Sequence, residues 1–275
     1  MGLHPSARAR LAKKLWLFIA LAAVVGGIVW WKNNSSEIKK IQPSTTTEAP
    51  FTTKVSGPQP GFNKSQYSVN DPSSIWVVVN KGRVLPKDYA PTGLGAPDAT
   101  LSEAASAENM QLRPDAQEAV EKLAMAAKSD GLNLMIVSGY RSFATQQAVY
   151  SGYVSSQGSD YANATSAQPG HSEHQTGLAV DLGAASRICQ LEPCFGDMAE
   201  GRWLATNAFK YGFIIRYQKN KNNLTGYNYE PWHIRYIGTD LATNLNNTGQ
   251  TLEQFFGLPA DPDYPVQNYQ LKIDN

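Results

Sequence analysis

Apolar positions follow three different rhythms along the chain. The first is unbroken: LWLFIALAAVVGGIVWW, residues 15–31, carries no charge. Arg8, Arg10, Lys13 and Lys14 precede it and Lys32 ends it. At ~1.5 Å per residue a helix of this length approaches the ~30 Å hydrocarbon core of a bilayer. Trp16, Trp30 and Trp31 suit the interface, and the basic flank predicts a cytoplasmic N-terminus with the remainder outside. A cleaved signal peptide is the alternative; no A-x-A-like site follows the run, and both readings export the rest. The second rhythm is helical. In RPDAQEAVEKLAMAAKSDG, Ala116, Ala119, Val120, Leu123, Ala124 and Ala127 share one face, and Gly131 supplies a stop. A further helix is predicted over 143–153 with Ser142 as N-cap. Another follows Asp197, with Glu200 completing a capping-box-like pair, and TLEQFFG gives a short last one. The third rhythm is that of strands: IWVVVN (75–80), LNLMIVSG, GLAVDLG, GFIIRY and WHIRYIG.

Between the first run and the periodic region, residues 33–65 are rich in Ser, Thr, Pro, Gly and Lys and read as a flexible linker. Residues 66–258 hold the alternating helices and strands, and 259–275 read as a tail. The irregular order of elements, with no repeat and no Gly-rich phosphate loop, predicts an α+β fold: helices packed on a mainly antiparallel sheet, one domain behind a transmembrane anchor and linker.

Composition narrows the function. A hydrophobic fraction of 42% with 17% charged residues excludes a fully disordered chain and a polytopic membrane protein. The formal net charge is +1, so no global electrostatic case exists for a nucleic-acid partner. Two cysteines exclude a disulfide-dense scaffold; Cys189 and Cys194 bracket CQLEPC, and in an exported domain they are expected to pair.

Of the four histidines, His171, His174 and His233 fall in PGHSEHQTGLAVDLG and YNYEPWHIRYIG. If GLAVDLG is a strand, Leu178, Val180 and Leu182 share one face and Ala179 and Asp181 the other. A carboxylate among such neighbours is costly unless paired or metal-bound. His174, at the strand entry, can reach the same point. In the second motif, strict alternation puts Glu230 opposite His233, so the chain must turn at Pro231 for both to face one site. Two imidazoles and one carboxylate with an open fourth position form a catalytic zinc arrangement, and the remaining carboxylate can move protons. Purely structural roles are a loop position for His171, core packing for Trp232 and, for Arg235, pairing with a carboxylate on the sheet.

SGYRSFATQQAVY, PGHSEHQTGLAVDL, YGFIIRY and GYNYEPWHIRYIG, in that order, resemble the zinc D-alanyl-D-alanine carboxypeptidases of bacterial cell walls, in their VanY-like (LdcB/DacB-like) branch. DPSSIWVVVNKGRVL resembles that group's N-terminal strand, and the likeness spans roughly residues 67–256. The resemblance implies Zn2+ on His174, Asp181 and His233, with Glu230 as catalytic base. It implies Arg141 as a residue near the scissile bond, holding the substrate carboxylate or stabilising the tetrahedral intermediate. Gln146, Ser172 and Tyr217 match substrate-contacting positions. The expected substrate is a peptidoglycan stem peptide that loses its terminal D-alanine from a D-Ala-D-Ala or an L-residue-D-Ala end. The expected setting is a monomeric catalytic domain on a single-pass anchor in the cell membrane. A non-catalytic peptidoglycan-binding module on the same scaffold is the alternative.

Overall fold

The computed structural model describes residues 62–102 and 106–265. The expected anchor (1–32), nearly all of the expected linker (33–65) and the last ten residues lie outside the described residues. Among the described residues, no helix is long and apolar enough to cross a membrane.

Helix α1 spans Pro114–Ser129. Pro114 opens it with a pre-set φ, and Ala116, Ala119, Val120, Leu123 and Ala127 are buried. Gly131 (φ +81°) turns the chain out of the helix toward strand β1, Leu134–Ser138. Helix α2, Phe143–Gln157, begins as expected: the Ser142 side chain accepts from the Thr145 N–H. It runs four residues further than the pattern suggested, then α3 (Ser159–Thr165) follows where a polar loop was expected. Strand β2 (Ala179–Ala184) precedes α4 (Ala199–Asn207) and β3 (Phe213–Tyr217). Then come a short α5 (Asn222–Thr225), β4 (Glu230–Tyr236), α6 (Thr239–Thr248) and α7 (Leu252–Phe256).

The four strands form one antiparallel sheet in the order β1-β2-β4-β3, so the fold is α+β as expected. One face carries Leu134, Ile136, Val180, Leu182, Phe213 and Ile234 into a core shared with α1 and α4. The other face carries Asp181, His233, Arg235 and Arg216. Alternation therefore sends apolar side chains to the core and the chemistry to the opposite surface.

Two local expectations are corrected. Residues 75–80 form no strand of the sheet, although their side chains do alternate between two buried clusters, Val77 and Val79 in one, Trp76 and Val78 in the other. Arginines take their carbonyls instead: Arg235 Nη2 donates to Ile75 O (3.1 Å) and Val77 O (2.8 Å), and Arg83 Nε to Val78 O (2.8 Å). The helix after Asp197 is capped by Met198 with no side-chain bond, because Pro193–Asp197 forms a 3-10 turn that consumes the expected cap. The true capping box lies at Thr251 and Gln254. Residues 259–265 also lie against the domain: Tyr264 OH accepts from Gln168 N–H (2.7 Å), and Lys81 Nζ donates to Pro262 O (2.9 Å).

The face of α1 yields a direct test. Leu123 is fully buried whereas Met125 is 61% exposed. Leu123→Ala should cost about 2–5 kcal/mol in urea unfolding, and Met125→Ala less than about 0.5 kcal/mol. Equal losses would contradict this packing.

Candidate metal centre and cleft

Strands β2 and β4 pair with Asp181 opposite His233, so both side chains rise from the same face. His174 comes from a 3-10 turn, Glu173–Thr176, that enters β2 through Gly177 in the left-handed region (φ +67°). A Cβ at Gly177 would also lie 3.1 Å from the side chains of Arg113 and Leu94, so glycine suits the close approach. His174, Asp181 and His233 are buried, and each offers one donor atom, all within 4.8 Å of one another. His174 Nε2 lies 3.3 Å from Asp181 Oδ2, and His233 Nδ1 lies 3.2 Å from Asp181 Oδ1. These contacts are not aligned as hydrogen bonds: His174 Nε2 and Asp181 Oδ1 are buried without a hydrogen-bond partner. Buried polar atoms so converged, with nothing else to satisfy them, fit a cation among them.

The other ring nitrogens are occupied. His174 Nδ1 is 2.6 Å from the Gly139 carbonyl, which can only accept, so Nδ1 carries the proton and Nε2 keeps its lone pair. His233 Nε2 faces Glu173 Oε2 at 3.4 Å, leaving Nδ1 toward Asp181. Gly139 itself meets backbone at 2.5 Å from a built Cβ, so no larger residue could present that carbonyl.

Electrostatics at the site is divided. Burial acts to raise the Asp181 pKa, yet the adjacent imidazoles, His174 first, hold it well below the usual carboxylate range. Burial and then the Arg141 charge push His174 down to about 4. Burial also works to lower His233, but Asp181 and Glu173 outweigh it and raise the ring to about 9. A metal ion arriving at Nδ1 displaces that proton, so metal uptake is coupled to proton release. Burial raises Glu230 to about 8, against the pull of His233 and Arg141.

Glu230 reaches the site through an irregularity. Ile215 pairs with Ile234, yet Tyr217 pairs with Glu230, so four steps along β4 oppose two along β3. The extra residues around Pro231 resolve the parity conflict, and Glu230 Oε2 comes to 3.8 Å from His233 Nδ1. Arg141 sits between β1 and α2. Its backbone N–H donates to the His174 carbonyl (3.3 Å), and its Nη2 lies 3.9 Å from Asp181 Oδ2. Its Nε has no hydrogen-bond partner.

A cleft of about 320 Å³ opens over these groups, lined also by Ser172, Tyr217, Tyr153 and Trp232. Ser172 additionally caps the 3-10 turn, accepting from His174 N–H (3.3 Å). The Tyr217 ring lies 4.8 Å from that of His233. Gln146 does not line the cleft. It is 1% exposed and its Nε2 donates to Ser166 Oγ (3.2 Å) and Ala167 O (2.6 Å), two groups of the cleft wall. It holds the wall from behind, because the start of α2 turns it toward the 166–167 segment. His171 lies apart from the metal centre, with Nδ1 on the Asn80 carbonyl (2.9 Å). Cys189 and Cys194 form a disulfide, with Cα atoms 5.6 Å apart. The loop that it closes lends Gln190 and Leu191 to the cleft. Arg187, Cys189 and Leu191 take φ near +60° there, a conformation that L residues hold only when their surroundings impose it.

Part of the site's surroundings escaped the sequence. Glu173 lies in the motif HSEH, where nothing local marks it as buried. Arg216 and Glu253 are separated from it by long stretches of chain, and only the fold brings them together.

Comparison with known proteins agrees with this geometry. The family model for VanY, described as D-alanyl-D-alanine carboxypeptidase, matches residues 109–239. The Bacillus subtilis protein YodJ, which carries a carboxypeptidase designation, is 42% identical over 189 residues, 69% of this chain and 69% of its own length. The LdcB LD-carboxypeptidase, solved to show the basis of peptidoglycan recognition, is 42% identical with a TM-score of 0.64, over 68% of this chain and 87% of that one. A vancomycin-resistance D,D-pentapeptidase VanY in complex with Zn(II) is 31% identical with a TM-score of 0.52, over 67% and 99%. With a buried His/Asp/His cluster of zinc-binding character and relatives of this identity and coverage, the chain belongs to the VanY-type D-alanyl-D-alanine carboxypeptidase family and is a zinc metallopeptidase.

Proposed function

We propose that this chain removes the C-terminal D-alanine from peptidoglycan stem peptides, with the tetrapeptide, ending in an L-residue-D-Ala bond, as its preferred substrate. The observation that carries the activity is the convergence of His174 Nε2, Asp181 and His233 Nδ1 beneath a cleft that also holds Glu230 and Arg141. The preference for the tetrapeptide is supported by the greater likeness to the LD-carboxypeptidase, 42% against 31% identity for the D,D-enzyme. The D,D reading is favoured by the description of the family model. Residues 15–31 are proposed to hold the domain, as a monomer, at the outer surface of the cell membrane, within reach of the wall.

The roles follow from placement. His174, Asp181 and His233 would hold the zinc. When bound, the ion supplies Lewis acidity, drawing the pKa of a coordinated water toward 7 and polarising the scissile carbonyl. Arg141, with an unpartnered Nε–H at the cleft, receives the terminal carboxylate or the developing oxyanion. Glu230 accepts a proton from the attacking water at a carboxylate oxygen, then returns it to the amine of the departing D-alanine. Its burial excludes competing solvent from the carboxylate. Tyr217 and Ser172 bound the space in which the terminal D-alanine lies.

Zinc-loaded protein should release D-alanine from a tetrapeptide stem with kcat/KM about tenfold or more above that for a pentapeptide, a gap of ~1.4 kcal/mol. A chelator should abolish release, and added zinc should restore it. Preference for the pentapeptide would select the D,D reading, and no release from either stem with zinc bound would overturn the substrate class. Glu230→Gln should keep its zinc and lose about 10²–10⁴ in kcat; full activity would remove Glu230 from proton transfer. The double substitution Cys189→Ser, Cys194→Ser frees the wall bearing Gln190 and Leu191. It should raise KM several-fold and leave kcat close to the parent value. An unchanged KM would show that this wall does not touch the peptide.

A further inference from the structure

On the chemical face of the sheet, beneath the cleft, lies a group of charges that the proposed chemistry does not use. Glu173 is 1% exposed, Arg216 1%, Arg235 0% and Glu253 1%. Glu173 Oε1 accepts from Arg216 Nε (2.8 Å) and from Arg235 Nη1 (2.9 Å). Arg216 continues to Glu253 on α7 through Nη2–Oε1 (2.6 Å) and Nη1–Oε2 (3.1 Å). Asn80 Nδ2 closes on the same carboxylate (3.2 Å). Arg235 spends its remaining donors on backbone: Nη2 on Ile75 O and Val77 O, and Nε on Tyr236 O (3.1 Å). Two carboxylates and two guanidinium groups thus cancel in charge.

The arrangement leaves one direction open. With Oε1 held by two arginines, the Glu173 carboxylate cannot rotate, and Oε2 faces His233 Nε2 at 3.4 Å. A carboxylate only accepts, so His233 must present an N–H on that side, which leaves Nδ1, turned toward Asp181, as the nitrogen that gives up its proton to a metal. The His233 ring has no other anchor of this kind on its far edge. Asp181 Oδ1 (3.2 Å) and Glu230 Oε2 (3.8 Å) both lie on the Nδ1 side, and the rings of His174 (4.9 Å) and Tyr217 (4.8 Å) do not choose a tautomer.

We infer that Glu173 is a positioning residue that selects the tautomer and orientation of His233, and that Arg216 and Glu253 hold Glu173 rigidly enough to do so. The terminal helix α7 therefore contributes to metal affinity, although Glu253 makes no contact with the metal centre. This rests on the reading of His233 as a zinc ligand and extends it to a chain of residues reaching from the cleft to the C-terminal helix. Buried charges of this sort are not needed for stability alone, since apolar side chains of similar volume fill such space at least as well. Their value lies in direction.

The test uses the full chain and reads zinc binding rather than turnover. Zinc affinity of the metal-free protein is measured by competition with a chromogenic chelator, the visible absorption bands of the Co(II)-substituted protein are recorded, and the thermal midpoint is followed in parallel. Glu173→Gln is expected to weaken zinc by about 10–100-fold and to change the cobalt bands, because an amide can turn its NH2 toward the ring. Glu253→Gln, one step removed, should weaken zinc by a smaller factor in the same direction, and it decides the matter if Glu173→Gln does not fold. Parent zinc affinity and parent cobalt bands in both variants, with only the thermal midpoint lowered, would overturn the inference and leave the network purely structural. His233→Ala separates this from the underlying reading. If His233→Ala loses zinc while Glu173→Gln and Glu253→Gln do not, the positioning role fails alone; if His233→Ala keeps parent affinity, the ligand assignment fails with it.

Discussion

The pairing of β2 with β4 is the constraint on which the site depends. Antiparallel registry places Asp181 directly opposite His233, and the alternation of each strand sends both side chains away from the core. A slip of one residue would bury both groups among Val180, Leu182 and Ile234 and turn those three toward the cleft. The burial of apolar side chains on the other face therefore does more than stabilise the sheet. It forbids the wrong register, and so defines where the two donor atoms stand.

Around that pair, each remaining group is delivered by a local departure from regular structure. His174 arrives on a 3-10 turn ending in a left-handed glycine, Gly177. Glu230 arrives on an irregularity in β4 beside Pro231. Arg141 sits just before the Ser142 cap of α2, where Glu108 Oε1 accepts from the Ser142 N–H (2.7 Å). The regular sheet supplies a rigid reference, and the departures aim individual side chains at one point. This division matches what a metal-assisted hydrolase requires, because donor atoms must be fixed to within a fraction of an ångström while the cleft stays open to a peptide.

Much of this was legible in the chain. The alternation of Leu178, Val180 and Leu182 against Ala179 and Asp181 puts the carboxylate on the face away from those apolar side chains. The motif around His233 supplied its partner, and the clash between Glu230 and His233 under strict alternation pointed to a break at Pro231. What could not be read depends on distant partners. Residues 75–80 have the composition of a strand, but their carbonyls are taken by arginine side chains, which leaves no local trace. Helix α6 is built on Thr, Asn and Asp, poor helix formers, and exists because Leu241, Ala242 and Leu245 are buried on one side. Gln146 followed the helical spacing from Arg141, yet it turns behind the wall to bind Ser166 and Ala167. Glu173 gave no signal, since its role is defined by Arg216, Arg235 and Glu253 from three other segments.

The most direct test of the account is the position of the metal itself. Crystals of the zinc-loaded protein, measured on either side of the zinc absorption edge, should give one strong anomalous peak at about 2.0–2.2 Å from His174 Nε2, an Asp181 carboxylate oxygen and His233 Nδ1. A peak coordinated by other residues, or ligation of His233 through Nε2, would contradict it.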